Sequence, residues 1–165
     1  MDRVTRPGAG APGVAIAVSV GSNLGDREAH LRFAIYRLSR MLDDLRVSNV
    51  RETAPFGVGE PQPPYLNAAA VGVTTLTPRP LLDALLAIER ERGRERRSPK
   101  AARTLDLDLI LYGDSVIEEA GLQVPHPRFR ERRFVLEPLA EIAPDLVDPA
   151  SGLTMAALLQ KVSES

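Results

Sequence analysis

The chain has 165 residues with 21 basic and 22 acidic side chains, a net charge of −1, and no cysteine. That balance argues against a whole-surface nucleic-acid binder, and the missing thiols exclude disulfides, thiolate metal sites and cysteine nucleophiles. No apolar run reaches the ~18 residues of a membrane span, so neither nucleic acid nor a membrane is an expected partner.

Residues 1–13 are rich in Gly, Pro and Ala, lack the apolar stretch of a secretory signal, and read as a disordered leader before one domain over 14–165. A cytoplasmic location is the simplest expectation for such a chain. Gly8, Gly10 and Gly13 match G-x-G-x-x-G, but they precede the first strand, whereas a dinucleotide loop follows one. Val14–Val20 is a β-branched apolar run and reads as a buried strand. Gly21 to Asp26 is a turn cluster in which Asn23 reads as a helix-start residue. Leu31, Ile35, Leu38 and Leu42 then mark a helix.

Leu45–Thr53 reads as a second strand, and the Pro/Gly-rich stretch 54–64 as a long loop of the kind that is often functional. Tyr65–Thr75 returns as a strand. Pro78 opens a helix through Leu81, Leu82, Leu85, Leu86 and Ile88. Thr104–Tyr112 is a strand, Val116–Val124 a small hairpin or edge pair, and Glu137–Ile142 and Thr154–Val162 are helices. The order strand–helix–strand–strand–helix–strand predicts an α+β, ferredoxin-like βαββαβ antiparallel sheet, with helices packed on it and a C-terminal extension of short elements. That fold hosts many functions, so chemistry must be read from the residues.

Arg103-Thr104-Leu105-Asp106-Leu107-Asp108 carries the strongest signal. In a strand Asp106 and Asp108 share a face, roughly 7 Å apart, while Leu105, Leu107, Leu109 and Leu111 face a core. Two such carboxylates suit Mg²⁺ ions that hold a polyphosphate, and equally a solvated face paired with arginines. Just before them, Arg90–Arg103 holds seven basic residues against Glu91 and Glu95. Arginine binds phosphate bidentately, so the segment reads as phosphate-binding or, in its first turn, as a helix end. His126, between Pro125 and Pro127, could contact a phosphate; Tyr65 and Asn67 share a strand face and could meet a flat heterocycle. There is no Walker A sequence, so a nucleotide would be held by side chains and metal. An RNA-binding module lacks its aromatic strand pattern here, and a metal-dependent nuclease would need more acidic ligands.

In order and spacing, Gly21-Ser22-Asn23-Leu24-Gly25, Tyr65-Leu66-Asn67-Ala68, Arg103-Thr104-Leu105-Asp106-Leu107-Asp108 and Val124-Pro125-His126 resemble the 6-hydroxymethyl-7,8-dihydropterin pyrophosphokinase family of folate biosynthesis. The resemblance runs from about Val14 to Ile142. It implies transfer of pyrophosphate from ATP, the co-substrate, to the hydroxymethyl group of the reduced pterin, with release of AMP. It implies Asp106 and Asp108 as ligands of two Mg²⁺ ions, acting in catalysis with Arg94 and Arg103. It further implies Asn23, Thr53, Ala54, Phe56, Tyr65, Asn67 and Phe134 at the pterin. Glu89, Arg94, Arg96, Arg97, Arg103, Leu109, His126 and Arg132 would serve ATP. Loops at 22–27, 54–64 and 94–103 are expected to close over the substrates, and a monomer is expected. Two positions depart from the pattern: Lys100-Ala101-Ala102 stands where many relatives have Trp-Gly-Pro, and Pro127 where they often have Tyr.

Overall fold

The computed structural model describes residues 12–53, 64–93 and 104–164. Its main sheet is antiparallel throughout. Strand β1 is Val14–Ser22, β2 Asp43–Val47, β3 Arg51–Thr53, β4 Tyr65–Thr74 and β5 Asp106–Tyr112. The spatial order is β2-β4-β1-β5, with β3 continuing the β2 edge along β4. Helices α1 (Arg27–Met41) and α2 (Pro78–Glu91) supply the two crossovers. Counting β2 and β3 as one strand gives the split βαβ order expected from the sequence. A hairpin of β6 (Ile117–Glu119) and β7 (Leu122–Val124) follows, then a 3-10 turn at Phe129–Glu131, α3 (Arg133–Ile142) and α4 (Met155–Glu164).

The two faces of the sheet bury different partners. Val18 and Val20 of β1, Leu66 and Ala68 of β4, and Leu105, Leu107 and Leu109 pack with Leu31 and Leu38 of α1 and Leu81 and Leu85 of α2. On the other face Ala17, Ala69, Val71, Ile110 and Leu111 join Phe129, Leu136 and Leu139 and the α4 residues Met155 and Leu158. The alternation of side chains along each strand makes this division possible.

Five local features differ from the reading of the sequence. Leu111 belongs to the second cluster, not with Leu105, Leu107 and Leu109. The register against β1 slips between Ala17↔Leu111 and Val18↔Leu109, so a bulge at Ile110 puts two successive residues on one face. Gly21 and Ser22 are strand rather than turn, because they pair with Asn67 and Leu66. Leu45–Thr53 is two strands. Ser48 leaves the ladder between them, its N–H donating to the Ala69 carbonyl while its Oγ accepts from the Ala69 N–H. The helix start belongs to Asp26, whose carboxylate accepts the Ala29 N–H at 3.1 Å, and Asn23 is fully buried instead. On α1 the buried stripe is Leu31, Ala34 and Leu38, while Ile35 is half-buried.

Candidate active site

Helices α3 and α4 cover only one end of the second face. At the other end the cross-strand registers lay out a polar floor. Arg51 of β3 lies beside Asn67 of β4, Asn67 beside Gly21 of β1, and Gly21 beside Asp106 of β5. One step along, Ala69, Ser19 and Asp108 form the next row, and Thr53 pairs with Tyr65 at the rim. Asp106 and Asp108 are both half-buried on this face. Their shared direction was legible from strand parity; the neighbours that complete the floor were not.

Gly21 lets the Asn67 and Tyr65 side chains come close to the strand. A Cβ there would stand 3.0 Å from Asn67 Oδ1 and 3.5 Å from Tyr65 Cδ1. The Asn67 amide nitrogen donates to Thr53 Oγ1 at 2.5 Å. This turns the Asn67 carbonyl oxygen toward Gly21 as an acceptor and leaves the Thr53 hydroxyl proton to donate onward. A ring edge with alternating donors and acceptors is the natural complement. Arg51 is held from the side by Glu141 of α3 at 2.7 Å, and Glu141 also accepts the Asn49 N–H at 2.9 Å. The Asn49 hydrogen bond, with Arg51, holds the Glu141 carboxyl below its ordinary range.

Glu89 reaches β5 from beneath. It is 2% exposed, and its carboxylate accepts the Leu107 N–H at 2.7 Å, between the two aspartates. In this structure Glu89 fixes the strand that carries them; its contact with ATP, implied by the family resemblance, remains a proposal.

His126 follows a cis Val124–Pro125 peptide, and its N–H donates to the Ile110 carbonyl of β5 at 2.9 Å. Burial, then the nearby Arg132, lowers its pKa to about 4 against the opposing pull of Asp106, with Arg128 lowering it further. The ring is therefore neutral near pH 7. Its Nδ1 accepts the Arg128 N–H at 3.1 Å, which leaves Nε2 carrying the proton as a donor. Arg132 caps the start of α3 by sequence position, and its guanidinium stands 5.6 Å from the centre of the Phe134 ring. Phe134 is half-buried against the second cluster.

A cavity of about 620 Å³ opens beside this face, lined by Leu82 and Leu86 of α2, Asp108 and Leu109 of β5, Gly121–Gln123 of the hairpin, and His126. Leu109 thus belongs to an apolar slot with one carboxylate at its mouth. Leu82, Leu86, Gly121 and Gln123 were missed from sequence, where the two leucines read only as core and the hairpin carried no chemical signal. Arg94, Arg96, Arg97, Arg103, Ala54 and Phe56 lie outside the described residues, as do Lys100, Ala101 and Ala102.

Among the described residues no cluster of three or more His, Cys, Asp or Glu could enclose a metal ion. Two adjacent carboxylates with hard oxygens are nonetheless what Mg²⁺ uses when substrate phosphates and water complete its shell. The donor set therefore fits a Mg²⁺–polyphosphate ligand and does not fit a closed structural metal site.

The fold is an α+β antiparallel sheet with a polar, acidic floor, and the sequence holds no P-loop. The model of the 7,8-dihydro-6-hydroxymethylpterin-pyrophosphokinase (HPPK) family matches residues 17–144, and the chain belongs to that family. It is 45% identical over 147 residues to 2-amino-4-hydroxy-6-hydroxymethyldihydropteridine pyrophosphokinase of Synechocystis sp., covering 88% of this chain and 74% of that one. The enzyme of the same name from Bacillus subtilis is 45% identical over 127 residues, 76% and 75% of the two chains. Folic acid synthesis protein fol1 of Pneumocystis carinii is 40% identical over 90% of this chain, which spans 20% of that longer protein. Among solved structures, a Plasmodium falciparum HPPK-DHPS A437G complex with STZ-DHP superposes with a TM-score of 0.75 at 13% identity, over 93% of this chain and 46% of that chain. That likeness bears on the fold.

Proposed function

We propose a division of labour on this floor for the family's reaction, which passes pyrophosphate from ATP to the hydroxymethyl group of 6-hydroxymethyl-7,8-dihydropterin in folate biosynthesis. The observation that carries it is the register row Arg51–Asn67–Gly21–Asp106, which sets the Asn67 amide and the side-chain-free Gly21 directly beside the acidic strand. The pterin lies over Gly21. Asn67 Oδ1 and the Thr53 hydroxyl read its edge, and Tyr65 and Phe134 stack on its faces. Asn23 supports this region from its buried position, and the family resemblance assigns the backbone of Ala54 and Phe56 to the same ligand.

The purine of ATP occupies the slot lined by Leu82, Leu86 and Leu109, and the phosphates run past His126 toward Asp106 and Asp108. His126 donates from Nε2, and Arg132 stays cationic beside it. By the family resemblance Arg94, Arg96, Arg97 and Arg103 take up charge on the transferred group, with Arg94 and Arg103 acting in catalysis. Asp106 and Asp108 would hold two Mg²⁺ ions, which when bound would supply neutralisation of the phosphate charge. Residues 14–165 act as one pyrophosphokinase domain, as a monomer in the cytoplasm, with no nucleic-acid or membrane partner. No helix among the described residues is long and apolar enough to cross a membrane.

Calorimetric titration of a non-hydrolysable ATP analogue tests the reading. Binding is expected to need Mg²⁺ in the parent protein and to lose that dependence when Asp106 and Asp108 are both changed to Asn. Equal binding with and without Mg²⁺ in the parent protein would contradict it.

A further inference from the structure

The C-terminal segment contains a buried charge that the site does not use directly. Asp148 is fully buried, and all its acceptor capacity is engaged. Arg130 grips it with two nitrogens, Nε to Oδ2 at 2.5 Å and Nη2 to Oδ1 at 3.0 Å. The Ala150 N–H donates to Oδ1 at 3.1 Å and the Ser151 hydroxyl to Oδ2 at 2.7 Å. Burial alone would raise the Asp148 carboxyl; the hydrogen bonds from Arg130, Ser151 and Ala150 instead bring it below its ordinary range.

Both partners sit on rigid pieces of backbone. The turn around Asp148 is closed by its own N–H to the Leu153 carbonyl at 2.8 Å and by the Gly152 N–H to its carbonyl at 2.8 Å. Arg130 belongs to the 3-10 turn Phe129–Glu131, and its guanidinium lies 4.8 Å from the centre of the buried Phe129 ring. That turn lies between His126 and Arg132. The Arg132 N–H donates to the Phe129 carbonyl at 3.0 Å, so any displacement of the turn passes to Arg132.

A buried ion pair often contributes no more to stability than apolar groups of similar volume would, because desolvation offsets the attraction. A bidentate pair does fix direction as well as distance. We infer that Arg130 and Asp148 are positioning residues for ATP: they fix the turn that presents His126 and Arg132 to the nucleotide, and so make the C-terminal segment part of the nucleotide site. The inference rests on the reading that His126 and Arg132 serve ATP. Most of the pterin side is held by the sheet instead: Asn67 pairs with Gly21 and Arg51, and Thr53 with Tyr65, away from this turn.

The test replaces the pair with Arg130→Met and Asp148→Leu together, and measures dissociation constants for a non-hydrolysable ATP analogue and, separately, for hydroxymethylpterin. The double variant is expected to unfold cooperatively, to bind the ATP analogue about tenfold more weakly, and to bind the pterin within twofold of the parent; tenfold is the equivalent of about 1.4 kcal/mol. Unchanged ATP-analogue affinity in the folded variant would reduce the pair to a structural role, and equal weakening of both ligands would show general loosening; either overturns the inference. Should the double variant fail to fold, Asp148→Asn decides, because it keeps most of the contacts. A weaker ATP-analogue affinity with unchanged pterin affinity is then expected, and no change in either overturns the proposal. His126→Ala in the parent protein separates the two claims: if it leaves ATP-analogue affinity unchanged, the site reading fails, whatever the pair does.

Discussion

The two ends of one sheet face make the same strands do opposite things. Toward the α3–α4 end, Ala17, Val71, Ile110 and Leu111 are sealed beneath Phe129, Leu136 and Leu139. Toward the other end, the same three strands present Ser19, Gly21, Asn67, Asp106 and Asp108, and the helices stop short of them. The face is a core where the extension covers it and a polar floor where it does not. The bulge at Ile110 sits near the boundary on β5 and adds a second apolar residue to the covered side. The C-terminal extension thus does two jobs, sealing half a face and framing the other half.

This comparison can be broken in order of expected effect. Asp108→Ala, on the open end, should leave the fold intact and lower kcat at least about a thousandfold, since several kcal/mol of transition-state charge stabilisation depend on its carboxylate. AMP release measured near the parent rate would remove Asp108 from the chemistry. Leu139→Ala, on the covered end, should cost about 2–5 kcal/mol in denaturant unfolding, because a fully buried side chain is replaced by a cavity. The folded fraction should keep kcat within a few-fold; a large kcat loss without a stability loss would mean that the two ends are not separate in function. Gly21→Ala should be smallest. Its new methyl would crowd Asn67 Oδ1 from 3.0 Å, and the off-rotamer cost of moving the amide corresponds to about a tenfold weaker pterin affinity with ATP affinity unchanged. Equal effects on both ligands, read by calorimetry, would contradict the placement of the ring over Gly21.

Much of this architecture was legible in the residues. Alternation from Leu105 to Leu109 placed the aspartates on one face because side-chain direction in a strand is local. The same rule failed at Leu111, because a bulge is set by pairing with Ala17 and Val18, almost a hundred residues away in the chain. Gly21 looked like part of a turn for a similar reason, since only its partners Asn67 and Asp106 make it strand. Glu89 carried no cue that it would be buried beneath Leu107. The slot between Leu82, Leu86 and Gln123 exists only once α2 and the hairpin meet across β5. Its leucines obey the helical period of any core stripe, so periodicity could not separate the two roles.

Transfer of a pyrophosphate group as one unit at the open end is tested most directly by following the reaction of the intact protein with ATP, Mg²⁺ and 6-hydroxymethyl-7,8-dihydropterin by ³¹P NMR. AMP and a pterin diphosphate are expected to accumulate in equal amounts. Formation of ADP with a pterin monophosphate, or release of inorganic phosphate without a pterin product, would contradict it.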